Sequence, residues 1–141
     1  MPSYAEHRLD IYDAQLYLAT DKRQWQALRR RVSFIDTKAP DSAGLAHFAT
    51  WHPNDGGMTL PVVVLWVNLA QHHDLADLAD TLAHEASHAA GQLLDHVGHR
   101  PGAVDEPQAY LVGWLVRWMW HHCLPWITHH IETSHRQQTR A

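Results

Sequence analysis

The stretch Thr81-Leu82-Ala83-His84-Glu85-Ala86-Ser87-His88-Ala89-Ala90-Gly91 constrains this chain more than any other. It holds the pattern H-E-x-x-H among small and apolar flanks: Leu82, Ala83, Ala86, Ala89, Ala90, Leu93 and Leu94. Such flanks predict a largely buried helix, and polar groups carried into a core need partners. On an α-helix, residues four apart lie nearly one above the other, so His84 and His88 can aim two imidazoles at one cation. Glu85 follows His84 at about 100° round the axis, close enough to reach a reacting water without ligating the metal. Two neutral nitrogen ligands beside a carboxylate base are what a water-activating metallohydrolase needs. Glu occurs only at positions 6, 85, 106 and 132 against 14 His, and shuffling this composition yields the motif in roughly 4% of chains. The competing reading is a surface helix with two unpaired histidines, and the apolar flanks weigh against it.

The frame around that helix reads as one α+β domain of 141 residues, long enough for its own core. A first strand is expected over Leu9–Ala19. Thr20 or Asp21 then caps a helix with Trp25, Leu28, Val32 and Ile35 at helical spacing. Its Lys22, Arg23, Arg29, Arg30 and Arg31 read as a solvated face rather than a nucleic-acid site. After a loop from Ala39 to Gly44, strands over Leu45–Trp51 and Leu60–Val67 flank the turn Pro53–Gly57, forming an antiparallel hairpin. Pro61 cannot donate to a ladder and belongs at a strand end or on an edge. Asp74 caps a helix over Leu75–Val97, and Gly98 stops it. Asp105-Glu106-Pro107 opens another helix toward His122, Pro125 ends it or starts a shorter one, and a polar tail over 131–141 frays.

Composition narrows the setting. A formal charge of −4 implies no general attraction to nucleic acid or anionic membranes. Residues 1–10 lack the apolar core of a secretion signal. The single cysteine, Cys123, rules out an intrachain disulfide and suits a reducing, cytoplasmic location as a free core thiol. Ala109–Ile127 has membrane-spanning length, but Arg117, His121, His122 and Pro125 interrupt it, so a buried helix is expected and no membrane partner. Of seven tryptophans, Trp114, Trp118, Trp120 and Trp126 fall late in the chain and are expected in the core.

A catalytic zinc needs a third protein ligand. Glu106 is the first choice, opening a new helix, with Asp105 and His99 as alternatives. Ala109 and Gly113 lie below Glu106 on one stripe, where small residues would let the second helix approach Ala86, Ala89 and Ala90. A His-rich C-terminus (His121, His122, Cys123, His129, His130, His135) is a competing metal site, although its spacing matches no defined zinc motif.

His84-Glu85-x-x-His88 followed by Glu106 on a second helix resembles the gluzincin branch of the zincin metallopeptidases. The element order is similar to a minimal zincin fold, a small and mostly antiparallel sheet packed on the H-E-x-x-H helix and a following Glu-bearing helix. In layout it resembles small phage- and prophage-encoded zincin-like proteins, through Asp105-Glu106-Pro107-Gln108-Ala109-Tyr110-Leu111-Val112-Gly113-Trp114-Leu115. Position 94 is Leu, so the third histidine of metzincins is absent, and the N-E-x-x-S-D segment of thermolysin-type enzymes is also missing. The resemblance implies zinc held by His84, His88 and Glu106, with Glu85 as general base in hydrolysing a peptide or protein substrate. It further implies the cytoplasm of a bacterial host. Tyr110, then His99, is the expected donor to the developing oxyanion, and the strand over Leu60–Val67 is expected to flank the cleft. The alternative is a catalytically silent zincin-fold metal-binding protein that docks a phage or host protein.

Overall fold

The computed structural model describes residues 3–51, 59–102 and 104–140; the expected turn at Pro53–Gly57 lies outside them. Alternation along two strands decides the layering. β2 (Ala14–Ala19) sends Ala14, Leu16 and Leu18 to one face of the sheet and Tyr17 and Ala19 to the other. β4 (Leu60–Val67) does the same with Val63, Leu65 and Val67 against Val62, Val64 and Trp66. Both faces are covered, which is why these strands read as nearly unbroken apolar runs. The two pair in parallel from Gln15↔Val62 to Ala19↔Trp66. β1 (Ala5–Leu9) is antiparallel to β2, and β3 (Gly44–Trp51) is antiparallel to β4, giving the order β1-β2-β4-β3. The protein is therefore α+β with a small mixed sheet, in which two of the three pairings are antiparallel.

The strand expected over Leu9–Ala19 is two strands. Leu9 closes β1, Asp10–Tyr12 form a 3₁₀ turn, and Asp13 takes a left-handed φ of 49° before β2 begins. Asp tolerates that conformation through its short polar side chain, and here it also pairs with Arg8. β1 was hidden because Glu6, His7 and Arg8 are exposed and polar, as suits an edge strand. Pro61 lies at the end of a strand, as the second residue of the central strand β4. It precedes Val62, where the pairing to β2 starts, so no bond on that side needs its missing N–H.

α1 (Lys22–Arg31) covers one face of the sheet through Trp25 and Leu28, capped by Asp21, whose carboxylate accepts from the Gln24 N–H. The other face packs against α2 (Leu75–His96), α3 (Glu106–His122) and α4 (Leu124–Arg140). Asp74 caps α2 by accepting from the Asp77 N–H, and Gly98 follows its end with φ +79°. Two expectations about the later helices change. α4 is a full helix with Pro125 in its first turn, and the tail continues helical to Arg140 with 132–140 exposed. The seam with α2 is made by Leu111, Leu115 and Met119, while Ala109 and Gly113 face solvent. The larger apolar side chains, four apart, took the buried face because they remove more area from water. Trp118, Trp120 and Trp126 pack partly buried against the core, whereas Trp114 stands outside it, 37% exposed and stacked on Trp118. No described helix is long and apolar enough to cross a membrane.

Candidate metal centre

The core-facing stripe of α2 runs through Leu78, Leu82, Glu85, Ala86, Ala89, Ala90, Leu93 and Leu94. His84 and His88 fall on the exposed flank of that stripe. Their Nε2 atoms face each other at 3.1 Å, with ring centroids 4.7 Å apart and planes inclined at 74°. Two nitrogens bound to one tetrahedral zinc at 2.0–2.1 Å lie ~3.3 Å from each other. The pair is thus spaced to share a cation, and its imidazole donors suit zinc. Ser87, between them, donates its hydroxyl to the Ala83 carbonyl at 2.8 Å and so turns onto its own helix.

Glu85 is only 6% exposed and lies between α2 and the first residue of β3. Burial raises its carboxyl above the ordinary value, while the neighbouring His84 and His88 pull in the opposite direction. It makes no hydrogen bond or ion pair among the described residues, which leaves both oxygens free to take a proton. Gly44 is what permits this placement. A Cβ there would stand 2.8 Å from Glu85 Oε1 and 2.9 Å from Glu85 Cγ, closer than side chains tolerate. The sequence assigned Gly44 to the end of a loop, and its only signal was a glycine at a strand start, which often marks close backbone approach.

The first turn of α3 passes α2 at the level of the motif, where Gln108 Nε2 reaches the Ser87 carbonyl at 3.5 Å. Asp105 caps α3 by accepting from the Gln108 N–H at 3.1 Å and also accepts from His99 Nε2 at 2.9 Å. The Gln108 N–H foremost, then His99, holds its carboxyl below the usual range. Asp105 and His99, the alternative third ligands, are therefore engaged with each other. Glu106 is exposed and forms no hydrogen bond or ion pair among the described residues. It lies about 180° round α3 from Leu115 at 100° per residue, on the exposed stripe with Ala109, Tyr110 and Gly113. Among the described residues no three His, Cys, Asp or Glu side chains stand together as a metal-holding group.

Tyr110 is 76% exposed and lines an apolar groove with Leu9, Ile11, Tyr12, Trp114 and Arg117. The C-terminal histidines divide among several surroundings. His121 and His122 adjoin each other near Trp118, His130 stacks on Trp126, and Cys123 is fully buried. Comparisons with protein-family models, curated proteins and solved structures match none of them.

Proposed function

We propose that the protein is a zinc-dependent metallopeptidase. The observation that carries the reading is the His84–His88 pair, with Nε2 atoms 3.1 Å apart beside a buried Glu85 that has no hydrogen-bond or ion-pair partner among the described residues. His84, His88 and Glu106 would hold the ion. Glu106 is the carboxylate of that turn left free, because Asp105 serves the helix cap and His99. Binding would require Glu106 to leave the solvent-facing stripe of α3 on which it lies, a rearrangement that the ~10–16 kcal/mol typical of zinc bound in structural sites can offset. When bound, zinc supplies Lewis-acid activation of water and of the scissile carbonyl. Glu85 takes the proton from that water on a carboxylate oxygen and delivers it to the leaving amine. Its raised pKa suits the first step, since a carboxylate that binds a proton more firmly is the stronger base.

β3 takes the place that the sequence suggested for the strand over Leu60–Val67. β4 is paired on both sides, whereas β3 is the edge strand beside α2, and among the described residues no strand pairs with its outer side, where an extended peptide could add. The second reading is a catalytically silent metal-binding protein that docks a phage or host protein. The groove position of Tyr110 favours it, because the expected oxyanion donor then contributes to an apolar surface.

Elemental analysis and hydrolysis of unfolded protein, measured in parallel, separate the two. The peptidase reading expects about one zinc per chain, lost in His84→Ala and Glu106→Gln and kept in Asp105→Asn. It expects Glu85→Gln to keep zinc and lose turnover. Zinc without hydrolysis leaves the silent protein; retention of zinc by His84→Ala sinks both.

A further inference from the structure

A closed ring of contacts ties the start of β3 to α2 at the level of Glu85. Asn68, just past β4, donates its backbone N–H to the Ala43 carbonyl at 2.8 Å. The Asn68 carbonyl in turn lies 2.7 Å from His72 Nδ1. A carbonyl only accepts, so the ring proton of His72 sits on Nδ1. In the neutral ring His72 Nε2 is then the acceptor for the Thr81 hydroxyl, 2.8 Å away. Thr81 lies one helical turn before Glu85. With its hydroxyl committed to His72, its γ-methyl meets the backbone of Gly44, where a Cβ would stand 2.7 Å from it. Ala43 and Gly44 are consecutive, and the circuit closes. His72 is 7% exposed, and a buried imidazole with both nitrogens matched is a costly way to fill space that an apolar side chain would fill.

We propose that His72, Thr81 and Gly44 are positioning residues that hold the Glu85 carboxylate in its place between α2 and β3. None of them touches a substrate. His72 fixes the rotamer of Thr81, the Thr81 methyl and the bare Gly44 backbone wall in the carboxylate, and Asn68 anchors the imidazole to the strand that forms the wall. The catalytic consequence rests on the peptidase reading, whereas the placement of Glu85 does not.

The test uses the full chain without metal at one fixed pH, with histidine ¹⁵N and glutamate ¹³C side-chain resonances observed by NMR. His72 should show the neutral Nδ1–H tautomer. Thr81→Val, which keeps the shape and loses the hydroxyl, should shift both His72 Nε2 and Glu85 Cδ. Thr81→Ser, which keeps the hydroxyl and loses the methyl, should leave His72 unmoved and shift Glu85 Cδ. Gly44→Ala should shift Glu85 Cδ with His72 intact, and if that variant does not fold, the two Thr81 variants decide. A Glu85 Cδ unmoved by both Thr81 variants, or an Nε2–H tautomer at His72, overturns the proposal. In the zinc-loaded protein Thr81→Val should lower kcat roughly 10–100-fold at unchanged KM and zinc content, with Thr81→Ser recovering part of the loss. An unchanged kcat in Thr81→Val overturns the catalytic part. A wild-type protein that hydrolyses nothing overturns the peptidase reading alone, since the resonances still decide whether the ring positions Glu85.

Discussion

Glu85 is where burial and charge meet most directly. Its raised pKa means the folded chain holds that proton more firmly than the unfolded chain does. Stability therefore falls as pH climbs from the ordinary carboxyl value through the raised one, and above that the ionised group carries the whole penalty. Metal-free Glu85→Gln should accordingly unfold at a higher temperature than the parent at pH 7, with the gain gone below about pH 4. Thermal scans at the two pH values check this, each 1 kcal/mol of relief being worth about 2–4 °C in a chain of this size. Cys123 is the opposite kind of residue, an inert one. Burial pushes its thiol up to about 12, so it stays protonated at neutral pH. Iodoacetamide should label it only after unfolding, and labelling of the native protein at the unfolded rate would contradict its place in the core. Both residues were legible in the sequence, one through its motif and one through its apolar neighbours. Gly44 was not, because its importance comes from a helix some forty positions later in the chain.

Helix α2 shows how far local pattern reaches. Asp74 at its start, Gly98 after its end and the apolar stripe between were all readable, because caps and helical spacing are local. The seam between α2 and α3 was misread. Glu106, Ala109 and Gly113 share a stripe, and small size suggested contact, yet that stripe faces solvent. Leu111, Leu115 and Met119 compete for the same partner and win by area. Leu115→Ala should therefore cost about 2–5 kcal/mol in urea unfolding. Tyr110→Phe, on the exposed side, should change stability by no more than about 0.5 kcal/mol. If the two substitutions proved equal, the assignment of faces on α3 would be wrong.

The whole molecule is a sheet clad on both faces, by α1 on one side and by α2, α3 and α4 on the other. Only the first part of α4 belongs to that cladding. Ile127 is buried, Trp126 packs against the core, and His130 donates to the His73 carbonyl at 2.8 Å. Ending the chain after Ile131 should shift the thermal midpoint by no more than ~2 °C and leave zinc content unchanged. Ending it after Trp126 deletes Ile127 and His130 and should lower the midpoint by at least several degrees. Loss of zinc in the longer truncated chain would bring His135, the one C-terminal histidine it lacks, into the metal site. Nothing in the polar composition of 132–140 announced a helix there, since its exposed turns have no apolar stripe to signal them.

Two kinds of information were thus separated along the chain. Spacing within one helix sets His84, Glu85 and His88 on adjoining faces whatever surrounds them, because 3.6 residues per turn is a property of the backbone. The covered faces of β2 and β4 were likewise written in their apolar runs. What local pattern could not carry was which side of α3 meets α2, that β1 exists as an edge, and that β3 rather than β4 borders the motif. Each of those is settled by competition for buried area among segments far apart in sequence, and that competition is resolved only when the chain has packed.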